Sequence, residues 1–142
     1  MIKVRLLWVE DSAADRVLYR ELLTSGDSND GWLDGLEIVD VAKPLDSVEA
    51  YREFDGIVLD LNLGAVNGLD LASQIHYFDW KIPILVLTGS EPGSIPLDAY
   101  ADVDEIAYKQ DALSPDGSFY WAFKKWVRWI ARVKERRMRQ RP

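Results

Sequence analysis

The chain has 142 residues, 48% of them hydrophobic and 29% charged, enough for one ordinary globular domain with a core but cramped for two. It has no cysteine and one histidine, His76, which excludes disulfides, thiol catalysis, cysteine zinc sites and histidine metal clusters. The net charge of −7 is unevenly divided: from Lys124 onward nine basic residues face Glu135 alone, a balance of +8 that leaves −15 on the rest.

Lys3 to Val9 alternates and then runs apolar, which predicts a strand that stops at Glu10-Asp11-Ser12. No long apolar segment lies behind it, so neither a secretion leader nor a membrane span is expected, and the default compartment is the cytoplasm. From Ser12, Ala14, Val17, Leu18 and Leu22 mark one face of a helix that closes near Gly26. Residues 27–31 read as a turn-rich loop, Glu37 to Ala42 as a strand and Asp46 to Phe54 as a short helix.

Ile57-Val58-Leu59 is a short apolar run of the kind buried on both faces of a sheet, and it ends on Asp60. A glycine-bearing turn follows, then a helix capped at Asn67 and carrying Leu69, Leu71, Ala72 and Ile75. Ile82 to Leu87 is the clearest strand and ends on Thr88-Gly89-Ser90. Pro92 and Pro96 interrupt Glu91 to Tyr100, which predicts a short or loosely formed helix there. Glu105 to Tyr108 is a weak fifth strand ending on Lys109. From Asp116 or Gly117 the pattern is helical, with Phe119, Phe123, Trp126, Ile130 and Val133 on one stripe. This helix should leave its core near Val133, giving a domain over 1–133 and a basic helical extension over 134–142.

Five strand-helix alternations imply an α/β fold, a parallel sheet with helices on both faces. Its strands would bring Glu10, Asp11, Asp60, Thr88 and Lys109 to one edge, where open α/β sheets bind ligands. Crowded carboxylates repel unless a cation sits among them, and an all-oxygen site with few protein ligands suits Mg²⁺. Lys109 and Thr88 facing those acids fit a phosphoryl group: the ammonium would neutralise one oxygen, while the Thr88 hydroxyl and Gly89 amide would bond another.

The pieces in order are a strand plus Glu10-Asp11, Asp60-Leu61-Asn62-Leu63, Asn67-Gly68-Leu69-Asp70-Leu71, Ile84 to Thr88-Gly89, and Tyr108-Lys109. Over residues 3 to about 130 this resembles the response-regulator receiver domain of two-component signalling. The resemblance implies a flavodoxin-like, doubly wound five-stranded parallel sheet of order 2-1-3-4-5 flanked by five helices. It implies that Asp60 accepts a phosphoryl group from a histidine kinase or a histidine phosphotransfer protein. Asp11, Asp60 and the Asn62 backbone carbonyl would hold Mg²⁺, or Mn²⁺ in its stead, with Glu10 acting directly or through water. Thr88, Gly89 and Lys109 would contact the phosphoryl oxygens. Such a domain catalyses its own phosphorylation and slow autodephosphorylation rather than turning over a substrate, and it signals to a downstream protein effector. Three positions depart from the family pattern: Gln110 follows the lysine in place of proline, Ile106 stands where an aromatic switch residue is usual with Tyr108 beside the lysine, and Gly64 replaces a common proline.

Two rival readings are a scaffold that binds partners without phosphorylation and a phosphohydrolase with Asp60 as nucleophile. Against the hydrolase, Asn62 occupies the place where a general acid would be needed. Trp121 and Trp129 lie off the last helix's apolar stripe, and Trp121 shares a face with Lys125, Arg128 and Arg132. It is either stacked by its own cations or part of an interface. The basic run from Lys134 to Arg141 is a solvated helix end, a dock for an acidic surface such as a second copy in a homodimer, or a nucleic-acid contact. A net acidic chain without a recognition helix argues against the last. His76 reads as an ordinary surface or half-buried histidine.

Overall fold

In a computed structural model the chain is described over residues 2–24, 32–90, 93–95, 101, 103–112 and 117–140. Its elements in order are β1 (Val4–Val9), α1 (Ala13–Thr24), a 3-10 turn at Trp32–Gly35, β2 (Leu36–Val41), a second 3-10 segment at Val48–Glu53, and β3 (Gly56–Asp60). There follow the two-residue strands β4 (Asn62–Leu63) and β5 (Val66–Asn67), then α2 (Gly68–Phe78), β6 (Ile84–Thr88), β7 (Glu105–Tyr108), the single turn α3 (Lys109–Ala112) and α4 (Ser118–Arg139).

Five strands form one parallel sheet in the order β2-β1-β3-β6-β7, the doubly wound order expected, with its fourth and fifth strands renumbered by the short β4 and β5. The apolar runs occupy its centre because β3 and β6 are covered on both faces, and every residue of each is buried. Alternate residues feed two separate cores. Leu6, Trp8, Val58, Leu85 and Leu87 meet Phe119, Phe123, Trp126 and Ile130 of α4 on one face. Leu7, Val9, Ile57, Leu59, Ile84 and Val86 meet Tyr51 and the Leu71, Ala72 and Ile75 stripe of α2 on the other. Full burial of each such side chain contributes about 1.5–3 kcal/mol, so both layers are strongly held.

Several expectations shift in detail. Strand β6 begins at Ile84 rather than Ile82, since Pro83 has no N–H to give the ladder although its carbonyl accepts from Ile57 N at 2.9 Å. The helix expected over Asp46 to Phe54 is a 3-10 segment, pinned by Tyr51, whose buried hydroxyl accepts the Leu45 N–H at 2.9 Å. Gly64 has a conformational role in its turn. Its φ of +69° lies in the left-handed region, which the expected family proline could not adopt. The segment Glu91 to Tyr100 lies mostly outside the described residues.

The last helix, about 33 Å long by its 22 residues, is continuous through Arg139. Lys124, counted above with the basic tail, is in fact buried, its ammonium 5.1 Å from the centre of the Trp121 ring. Lys134 does not project freely either: its ammonium donates to the Lys3 carbonyl at 2.6 Å and to Asp55 at 2.9 Å, and Asp55 also accepts the Arg5 N–H. No described helix is long and apolar enough to cross a membrane.

Candidate functional site

The sheet delivers the predicted residues to one edge. Glu10 directly follows β1, Asp60 closes β3, Thr88 closes β6 and Lys109 directly follows β7. The register pairs Asp60 with Leu87 and Thr88 with Tyr108, so the carboxyl ends of the inner strands finish at nearly the same level. Glu10 and Asp60 are buried, at 1% and 5% exposure, and Asp11 is exposed beside them. One carboxylate oxygen from each of the three lies within 4.8 Å of the other two, a spacing that could hold a metal ion.

The Lys109 ammonium sits among the acids. It donates to Glu10 Oε2 at 3.2 Å, to Asp60 Oδ2 at 3.3 Å and to Asp15 Oδ2 at 2.9 Å, and it lies 5.6 Å from the centre of the Tyr19 ring. Burial alone would lower the lysine's pKa, but the hydrogen bond to Asp15 and the charges of Asp60 and Glu10 outweigh it and raise it. Glu10 moves the other way from a usual carboxylate. Burial, then the hydrogen bond and charge of Asp60, push it up to about 7, against the opposing pull of Lys109 and the Ser12 N–H. Three crowded acids with one ammonium and a carboxyl poised near neutrality form a donor set that a divalent cation would complete.

Local backbone bonds fix the pieces. Asn62 N donates to Asp60 Oδ1 at 3.2 Å, which orients the strand-end carboxylate and holds the Asn62 peptide beside it. Asn67 caps α2 as expected, its side chain accepting the Leu69 N–H at 2.8 Å. Thr88 is fully buried and its hydroxyl accepts the Ser90 N–H at 3.0 Å, which shapes the turn after β6. A Cβ on Gly89 would lie 3.8 Å from the Lys109 side chain, an ordinary van der Waals contact. At Gln110, where the family has proline, the chain enters the α3 turn directly after β7.

Of the remaining candidates, Ile106 and Tyr108 are half-buried on β7, and Ile106 packs into the core that α2 covers. Trp121 and Trp129 are 60% and 44% exposed on α4. They line a groove with Lys125, Arg128, Arg132 and the Asp104-Glu105 edge. His76 is half-buried, its Nε2 2.8 Å from the Ile82 carbonyl. Two roles were not read from the sequence, the Asp15 contact to Lys109 and the packing need at Gly68. Asp15, in the first turn of α1, makes the shortest of the three lysine contacts, and no local pattern in the sequence signals it. Gly68 lets α2 start against the Asp60-Leu61 backbone, its N–H donating to the Leu61 carbonyl at 2.8 Å.

No protein-family model matches the chain, and no curated protein matches it. Solved structures do. The signal receiver domain of a putative LuxO repressor protein from Vibrio parahaemolyticus superposes with a TM-score of 0.74 at 16% identity, covering 99% of this chain and 100% of that one. The phosphorylated cyanobacterial phytochrome response regulator RcpA gives 0.62 at 24% identity, covering 91% and 94%. The response regulator TrrA from Thermotoga maritima, solved with Mg²⁺ and BeF, gives 0.61 at 22% identity, covering 89% and 98%. With the sheet order, these likenesses establish that the chain has the receiver-domain fold of response regulators.

Proposed function

We propose that the protein is a response-regulator receiver, a phosphoacceptor that signals through protein contacts and does not turn over a substrate. The observation that carries this reading is the convergence of Glu10, Asp11 and Asp60 around Lys109, with Thr88 buried at the end of the neighbouring strand, at the carboxyl edge of a receiver fold.

Asp60 is the nucleophile. One of its carboxylate oxygens attacks phosphorus, a P–O bond forms, and the bond from phosphorus to the donor's imidazole nitrogen breaks with its electron pair staying on that nitrogen. The donor is a phosphohistidine of a histidine kinase or a histidine phosphotransfer protein. Lys109 neutralises charge on the transferred oxygens, and the Thr88 hydroxyl and Gly89 amide hydrogen-bond them. Glu10, Asp11, Asp60 and the Asn62 carbonyl would hold Mg²⁺, with Mn²⁺ as a substitute. When bound, the ion would screen the carboxylates from one another and draw charge from the phosphoryl group. Water attack on the aspartyl phosphate returns the resting carboxylate and inorganic phosphate.

Signalling follows as a population shift, because a phosphoryl group favours one arrangement of the Thr88 turn over another. The downstream partner is a protein effector. A homodimer through α4 fits the contrast between the basic helix and the acidic body, and direct nucleic-acid contact does not fit a chain of charge −7.

A scaffold that works without phosphorylation is the second reading, favoured by Ile106, an aliphatic residue packed in the core where a mobile aromatic would serve as switch. One experiment separates the two. Incubation with Mg²⁺ and acetyl phosphate, followed by intact mass, should give a phosphoryl adduct in the wild type and none in Asp60→Ala. Absence of both an adduct and Mg²⁺ binding overturns the phosphoacceptor reading in favour of the scaffold.

A further inference from the structure

Asp15 sits on the first turn of α1, and its place there is unusual for what its neighbours do. Ser12 caps that helix: its hydroxyl accepts the Asp15 N–H at 3.2 Å, and its carbonyl accepts the Arg16 N–H at 3.0 Å. Ser12 and Asp15 thus have capping-box spacing, in which the acid three residues on reaches back to bond the cap residue's own amide. Here that amide goes elsewhere. Ser12 N donates to Glu10 Oε1 at 3.2 Å, and the Asp15 carboxylate turns to the Lys109 ammonium at 2.9 Å.

Asp15 is also set apart from the other acids. It does not belong to the trio of Glu10, Asp11 and Asp60 whose oxygens cluster for a cation, and its side chain is one-third exposed at the mouth of the site. Tyr19, one turn further along α1, offers its ring to the same ammonium. Together Asp15 and Tyr19 form a resting seat for Lys109 on α1, one that remains when the other carboxylates are committed to a cation.

We propose that Asp15 is a latch on Lys109, a positioning residue that holds the ammonium toward α1 at rest and must release it before an incoming phosphoryl group can take it. This rests on the phosphoacceptor reading above. A phosphoryl group is anionic, so Asp15 opposes it twice: by occupying the lysine that would neutralise it and by adding a negative charge beside it. The chain is thereby biased toward its unmodified state, and its sensitivity to a phosphodonor is set by a residue that touches neither the metal cluster nor the phosphoacceptor. A partner surface that drew Asp15 away would activate the site.

The test uses the full chain with Mg²⁺ and beryllofluoride, an anion that mimics an aspartyl phosphate. Asp15→Asn keeps the shape and removes the charge. It should bind beryllofluoride about fivefold or more tightly, with Mg²⁺ affinity changed less than about twofold, as expected from removing one nearby charge outside the metal cluster. Asp15→Glu should restore wild-type affinity. In the metal-free protein, the Lys109 side-chain ¹⁵N resonance should move in Asp15→Asn and return in Asp15→Glu, a readout that a role in helix capping alone would leave unmoved. Unchanged or weaker beryllofluoride binding in Asp15→Asn overturns the latch, whatever happens to stability. Failure of the wild type to bind beryllofluoride in an Mg²⁺- and Asp60-dependent manner overturns the phosphoacceptor reading and the latch with it.

Discussion

Gly68 and Asp60 approach so closely that a Cβ on residue 68 would overlap the Asp60 carbonyl oxygen and press on the Leu61 Cα. The start of α2 is therefore packed directly on the backbone of the proposed phosphoacceptor. Both contacted groups are main-chain atoms, which cannot swing aside as a side chain can. Gly68→Ala should cost about 1–3 kcal/mol of stability by overpacking, and it should also weaken Mg²⁺ binding by displacing Asp60. Urea unfolding and calorimetric Mg²⁺ titration check the pair; a variant as stable and as metal-avid as the wild type would refute the close-approach account.

Glu10 gives the proposed metal site a pH dependence with a defined sign. Because its folded pKa is pushed up to about 7, the carboxyl carries a proton below that pH, and a bound cation must displace it. Mg²⁺ affinity should fall about tenfold between pH 8 and pH 6, and Glu10→Gln should flatten that slope. Without metal the same shift acts on folding in the opposite sense. The stability contributed by holding Glu10 neutral is fully present below its unfolded pKa near 4.5 and is lost as pH rises through about 7. Glu10→Gln should thus gain on the wild type in metal-free stability from pH 5 to pH 8.

Lys109 is the counter-charge to Glu10, Asp60 and Asp15 at once. Lys109→Met would leave those acids facing one another. Breaking a buried ion pair costs about 3–5 kcal/mol, and the partial exposure of Asp15 reduces this to about 2–3 kcal/mol for the metal-free protein. Saturating Mg²⁺ should return part of the loss, since the ion takes over the role of counter-charge. Urea unfolding with and without Mg²⁺ measures both effects, and equal stability of variant and wild type without metal would contradict this assignment.

Lys134 fastens the far end of α4 to the opposite edge of the sheet through Lys3 and Asp55. Lys134→Ala should cost about 1 kcal/mol and leave the proposed phosphoacceptor edge untouched. Amide exchange should rise in residues 131–139 of α4 while the first half of the helix, held by Phe119, Phe123 and Trp126, keeps its protection. Uniform loss along the helix would mean that α4 unfolds as one unit.

The sequence by itself determined the sheet and the edge. The apolar runs ending at Asp60 and Thr88 could only be central strands, because no other place in an α/β fold covers such a run on both faces. Once the strands are parallel, their carboxyl ends must share one edge, so Glu10, Asp11, Asp60, Thr88 and Lys109 converge whatever the loops do. The tertiary structure alone decided which acid the lysine holds most closely, since Asp15 and Lys109 are 94 residues apart and no local pattern links them. It alone revealed that Gly68 is required by the Asp60 backbone, that Lys124 is buried beneath Trp121's face of α4 and that Lys134 is docked. Periodicity reports which side of an element is apolar. Close approach between backbones, and the choice of one charged partner among several, depend on distances that exist only after the layers have packed.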